Sequence, residues 1–174
     1  GGTVSRLIVI SGPPGAGKST VARLLAQQSS HSICLEGDWV YHVVEGGYVA
    51  PWLPGNHKLL FWANVESIIE NALSMDYDVV FEYVLFPADF ERLKRRFGKM
   101  MVAFVLLPSE AELLRRDQLR PEDCQMGERC RISHKQFCET KFEPGQVLHT
   151  DDETPEQTAR RIWGCIESPC ALER

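Results

Sequence analysis

Leu7-Ile8-Val9-Ile10, then Ser11-Gly12-Pro13-Pro14-Gly15-Ala16-Gly17-Lys18, then Ser19-Thr20-Val21-Ala22-Arg23-Leu24-Leu25-Ala26 form an apolar run, a glycine-proline turn and a stretch of helical spacing. The run of β-formers predicts a buried strand and the following pattern predicts a helix. Between them, Gly12 to Ser19 matches G-x-x-x-x-G-K-[ST] in the strand-turn-helix context that gives the pattern its meaning. Glycines let the main chain curl so that successive N–H groups point inward, and a helix N-terminus adds positive potential for phosphate oxygens. Lys18 can reach the β and γ phosphates, and the Ser19 hydroxyl is a small oxygen ligand for Mg²⁺. The predicted nucleotide-binding residues are therefore Gly12, Pro13, Pro14, Gly15, Ala16, Gly17, Lys18, Ser19 and Thr20.

The same alternation continues outward. Strands are predicted at Ile33–Leu35, Val79–Phe81, Met101–Leu107 and Val147–Leu148, and helices from His57 to about Met75, Ala88 to Phe97, after Ser109, from Glu128 to Lys141 and after Thr154-Pro155. This is the sequence form of an α/β fold: a five-stranded parallel sheet with helices on both faces in three layers. Residues 46–55, rich in Gly, Pro and aromatic side chains, read as a loop, and Ser109 to Glu112 has capping-box spacing. At 174 residues the chain is expected to form one domain over 1–174, with a lid at about 115–130 and an acceptor-binding region at about 38–60.

With 44% hydrophobic and 25% charged residues and a net charge of −5, the composition is that of an ordinary globular protein. It carries no basic footprint for nucleic acid, no polybasic membrane anchor and no apolar run long enough to span a bilayer. Gly1-Gly2-Thr3 do not read as a secretion signal, so the six cysteines are expected as free thiols in the cytoplasm. Cys124, Cys130, His134 and Cys138 fall at helical spacing but lack the paired spacing of a zinc site. A monomer or a dimer is equally compatible with the sequence.

In doubly wound sheets, ligands gather beyond the carboxyl ends of the strands. Glu36-Gly37-Asp38 follows the second strand there, and Glu82 closes the third. Asp38 is the candidate base for an acceptor hydroxyl, its alternative being a cap on a helix beginning at Trp39. Glu36 and Glu82 are candidates to hold Mg²⁺ through water, the alternative for each being a cap or a solvated charge. Arg115, Arg116 and Arg120 stand in the predicted lid. The spacing of four would align Arg116 and Arg120 on one helical face, either converging on a ligand or lying in solvent. Arg92, Lys94, Arg95 and Arg96 read as a solvated basic surface. Trp39, Tyr41, Tyr48 and Trp52 either wall a pocket for a ring-shaped acceptor or pack beneath a loop. Asp38, Trp39 and Glu82 are the candidate acceptor-binding residues, while the scattered histidines are given no catalytic part.

On these residues the chain resembles the small kinases of the gluconate and shikimate kinase type. The resemblance rests on Gly12 to Ser19, the Glu36-Gly37-Asp38 triplet, the arginine-bearing lid and Val147 to Thr158. It implies a small P-loop kinase, with Lys18, Asp38 and Arg120 catalytic and ATP and Mg²⁺ as cofactors. It also implies that Arg116 lies against the adenine, that Arg120 lies near the phosphates, and that Thr150-Asp151 border the base. Phe81-Glu82-Tyr83-Val84-Leu85-Phe86-Pro87, an acid followed by apolar residues, is similar instead to the chloramphenicol phosphotransferase group, which modifies an antibiotic hydroxyl.

The leading expectation is ATP- and Mg²⁺-dependent transfer of the γ-phosphoryl group to a hydroxyl of a small molecule, a sugar-acid-like or related metabolite. Transfer to an antibiotic hydroxyl is the same chemistry on another acceptor. A nucleotide kinase should carry an arginine between Trp39 and His57, and none occurs. A nucleotide-dependent switch is the alternative outside catalysis.

Overall fold

In the computed structural model, which describes residues 4–168, five parallel strands stand in the order β2-β3-β1-β4-β5. The strands are β1 (Leu7–Ser11), β2 (Ser32–Glu36), β3 (Asp78–Glu82), β4 (Met101–Leu106) and β5 (Val147–Leu148). Every residue of β1 is buried, as expected of a central parallel strand covered on both faces.

The two-residue period of a strand sends alternate side chains to opposite layers. Leu7, Val9, Val79, Phe81 and Val105 pack with α3 (Lys58–Ser74) and α4 (Pro87–Phe97). Ile8, Ile10, Val80, Phe104 and Leu106 pack with α1 (Lys18–Gln27), α5 (Glu110–Gln118) and α7 (Pro155–Glu167). A short α2 (Gly37–Tyr41) follows β2, and α6 (Glu128–Glu139) adds Phe137 to the α3/α4 layer. Truncating one of the large buried side chains, such as Phe81, to alanine would cost about 3–5 kcal/mol.

Topology sets the position of the site. From β1 the chain passes through α1 to β2, beyond β3, whereas from β3 it passes through α4 to β4 on the other flank of β1. The carboxyl ends of β1 and β3 are therefore where successive connections diverge, the crevice in which such sheets bind ligands. Ser11 fastens these two ends together. Its hydroxyl donates to the Leu85 carbonyl at 2.7 Å and accepts from the Leu85 N–H at 2.8 Å.

One helix terminus amends an expectation. At α5, Ser109 Oγ accepts from the Glu112 N–H, but the return half of the capping box is missing. The Ser109 N–H donates to Asp151 instead, and Glu112 is engaged by Arg115 and Arg116. A full box forms at α7, where Thr154 and Gln157 exchange both bonds. The basic run on α4 is not simply solvated. Arg92 and Arg96 both donate to Glu66 of α3, at 2.6 and 2.9 Å, and Arg92 lies 5.1 Å from the Trp62 ring. These contacts stitch two helices across 26 and 30 residues of chain.

Candidate active site

The phosphate loop owes its path to glycine. Gly12 has φ 151°, and a β-carbon there would sit 2.5 Å from the Leu106 carbonyl oxygen. Gly17, at φ 86°, turns the chain into α1. Lys18 is buried and donates from Nζ to the Pro13 carbonyl at 3.0 Å. Burial lowers its pKa; Arg120 adds to that, while Glu82 and Asp38 act in the opposite sense.

Strand parity explains which carboxylates meet α1. Glu82 shares the α1 face with Val80, and Glu36 shares it with Cys34, the two acids standing in register on neighbouring strands. Glu82 is buried and accepts from Ser19 Oγ at 3.3 Å. Burial pushes its pKa up to about 7, with Lys18 opposing the rise and Asp38 and Glu36 adding to it. Glu36 is paired with Arg23 of α1 at 2.8 Å, so its candidate role as outer support for a metal has a competing partner. A hydroxyl and a buried, under-neutralised carboxylate form a hard-oxygen set that fits Mg²⁺, which binds through few protein ligands. Among the described residues no group of three or more His, Cys, Asp or Glu forms a metal cage, and Cys124, Cys130 and Cys138 are free thiols.

Asp38 does not cap a helix starting at Trp39. The helix begins two residues earlier, at Gly37, with Glu36 in the N-cap position, and Asp38 lies exposed in the first turn. Its charge bears on Lys18, Glu82 and Tyr83. The middle glycine of the triplet is a steric requirement. A β-carbon on Gly37 would stand 2.6 Å from Tyr83 Cγ and 2.8 Å from Tyr83 Cβ. The close approach brings the end of β2 against the residue after Glu82, with Tyr83 in turn 4.8 Å from the Phe61 ring.

The arginines separate. Arg116 donates from Nη1 to the Ala16 carbonyl of the phosphate loop at 3.2 Å and from Nε to Glu112 at 2.9 Å. Arg115 points to Glu112 as well and is exposed; these two guanidiniums hold the Glu112 carboxyl down at about 2, Arg115 contributing most. Arg120 does not share a helical face with Arg116, because α5 ends at Gln118. It lies in the turn beyond, half-buried, where its charge is felt by Lys18 and Asp117. Asp117 shapes that turn: buried, it accepts N–H bonds from Met126 at 2.8 Å and Gly127 at 2.9 Å, which hold its pKa down. This role of Asp117 is not legible in the sequence, since nothing in a helical period announces a carboxylate that closes a loop nine residues away.

A cleft of about 480 Å³ runs from the phosphate loop to the start of α7, lined among others by Gly17, Thr20, Arg116, Thr150, Asp151 and Pro155. Thr150 is buried, and its hydroxyl has no hydrogen-bond partner. A buried orphan hydroxyl suits a ligand that brings its own polar edge, such as a nucleobase.

The aromatic residues after β2 divide between packing and exposure. Tyr41 is buried, donates to the Val49 carbonyl and meets Phe61 at 5.7 Å. Trp39, Tyr48 and Trp52 are exposed. Tyr48 stacks on His42, and Arg129, at the start of α6, lies over Trp52 at 4.3 Å. That contact joins segments 77 positions apart, beyond the reach of any local pattern.

A family profile described as AAA domain (AAA_18) matches residues 8–135, from β1 into α6. The chain belongs to that family. The fold of this AAA domain is shared with proteins of known structure, among them two described as kinases. It resembles a sugar kinase from Janibacter sp. HTCC2649, with TM-score 0.72 and 14% identity over 96% of this chain and 98% of that one. A gluconokinase from Sinorhizobium meliloti 1021 gives 0.67 and 16% over 95% and 98%. The tunicamycin resistance protein of Deinococcus radiodurans gives 0.67 and 17% over 93% and 95%. At these identities the likeness is one of fold. No curated protein matches this AAA domain significantly.

Proposed function

We propose that the protein is a small-molecule kinase that transfers the γ-phosphoryl group of ATP to a hydroxyl, with Mg²⁺. The observation that carries the reading is the convergence of Lys18, Ser19, Glu82 and Asp38 at the carboxyl ends of β1, β3 and β2. Phosphoryl transfer asks little of a protein beyond positioning and neutralisation of charge, and these groups supply both. Main-chain N–H groups of residues 15–18, Pro13 and Pro14 having none to donate, and the Lys18 ammonium bind the triphosphate tail. Ser19, with Glu82 and Glu36 through water, would hold Mg²⁺, which supplies charge neutralisation on the phosphates when bound. Asp38 orients the acceptor hydroxyl and takes its proton. Arg116 borders the base and Arg120 meets the developing charge. The setting proposed for the protein is the cytoplasm, where cysteines are kept as thiols.

A second reading is transfer to an antibiotic hydroxyl. The exposed aromatic side chains after β2 and the shared fold with a tunicamycin resistance protein favour it. Incubation with γ-labelled ATP and a panel of sugar acids, nucleosides and hydroxylated antibiotics tests both. Label is expected in one compound, whereas label released only as free phosphate would contradict phosphoryl transfer.

A further inference from the structure

Resting on the phosphoryl-transfer reading, we infer that the acceptor is an uncharged alcohol carrying a flat ring, and that acids and phosphate esters are turned away. The first ground is charge. Asp38 and Glu82 stand near enough to Lys18 of the phosphate loop, and to each other, for their charges to act on one another, and Asp38 to His57 contains no lysine or arginine. Of the neighbouring cations, Lys18 donates to the Pro13 carbonyl and Arg23 pairs with Glu36, Arg120 is assigned above to the transferring phosphoryl group, and Lys58 stands exposed at the start of α3, outside the segment. Arg129 lies over Trp52. An anionic acceptor would therefore press against carboxylates without a dedicated countercharge, and such juxtapositions are repulsive even through water.

The second ground is the surface offered. Immediately after Asp38, Trp39 is 66% exposed, and Tyr48 and Trp52 are 44% and 59% exposed. Large rings left in water within one 14-residue stretch of a soluble fold mark a place where an apolar face is received. The rings are also held in place. Tyr41 ties the segment to Val49, His42 and Tyr48 stack with centroids 5.7 Å apart, and Tyr83 senses the charge of Asp38 and the hydroxyls of Tyr41 and Tyr48. Exposed ring faces in the segment that follows Asp38, with Tyr41, His42 and Tyr48 packed on one another, suit stacking on a planar group while a hydroxyl reaches Asp38.

A matched set of probes separates charge from ring: phenyl β-D-glucoside, phenyl β-D-glucuronide, methyl β-D-glucoside and gluconate, titrated into the full chain with ligand-observed NMR. The phenyl glucoside is expected to bind about tenfold tighter than both the glucuronide and the methyl glucoside. Trp39→Ala should erase the advantage of the phenyl group, and Asp38→Asn should narrow the gap to the glucuronide, with ATP affinity unchanged in both. Equal or tighter binding of the glucuronide or gluconate would overturn the inference, most directly if Arg129→Ala abolished it. So would a phenyl group that gains nothing, or failure of both phenyl probes to bind. Selective binding of the phenyl glucoside with no label passing from γ-labelled ATP to any compound would overturn phosphoryl transfer while leaving the ring and charge selectivity standing. Label passing to gluconate would do the reverse.

Discussion

The phosphate loop and the segment 42–57, which we propose receives the acceptor, are built on different principles. In the loop the path is dictated by main-chain geometry. Gly12, Gly15 and Gly17 take positive φ, a carbonyl oxygen fills the space where the Gly12 side chain would be, and Lys18 is buried. In the segment the path is irregular, and what it presents are ring faces, held by one hydroxyl of Tyr41 and by stacking of Tyr48 on His42. A backbone-made site is adapted to what is shared by its ligands, here phosphate oxygens. A side-chain-made site can differ from one protein to the next without disturbing the sheet beneath it.

The sharpest way to break this contrast is at Lys18. Lys18→Ala is expected to lower phosphoryl transfer about 10³-fold, the scale of losing one preorganised charge in a dry site, measured as label transfer from γ-labelled ATP. Unimpaired turnover would remove the loop from the chemistry. Asp38→Asn probes the opposite side of the crevice. Turnover should fall about 10²-fold while calorimetric ATP affinity stays within about twofold, because the residue acts on the acceptor. Parallel loss of ATP binding would erase the distinction between the two sides.

Smaller effects test the framework around them. Gly37→Ala should destabilise the fold by about 1–3 kcal/mol, since the new methyl group runs into Tyr83, whereas Gly46→Ala, which meets nothing within 4 Å, should stay within about 0.5 kcal/mol. Chemical denaturation of the two variants gives the comparison. Asp117→Asn should cost about 1–2 kcal/mol, because an amide cannot accept both N–H bonds through its two ends. The folded-state pKa of Asp117 is depressed, so its stabilisation is present above the ordinary value of 3.8 and is lost as pH falls through the lower folded value. The Asn variant should therefore show a flatter stability profile on the acid side than the parent.

The strands and most helices were legible because burial imposes a period, and the phosphate loop because glycine, lysine and serine have few substitutes there. Arg120 shows where periodicity stops informing. A spacing of four suggests a common helical face only while the helix continues, and α5 stops at Gln118, beside Asp117, which closes a turn onto Met126 and Gly127. Arg92 and Arg96 looked like surface charge because Glu66, their shared partner, is on another helix. The Arg129 contact with Trp52 was equally hidden: each residue is ordinary in its own neighbourhood, and only the tertiary fold makes them meet. Glu82 was found because strand ends are few, yet its burial and raised pKa depend on the layer that α1 lays over it.

The fit between Gly37 and Tyr83 leaves no room for a methyl group at the joint that carries Asp38. Anyone retuning the proposed acceptor site would find that joint closed to editing, and would have to work in the loop beyond it, at Gly46, where a side chain meets nothing within 4 Å, and not at Gly47, whose φ of 75° reserves the position for glycine.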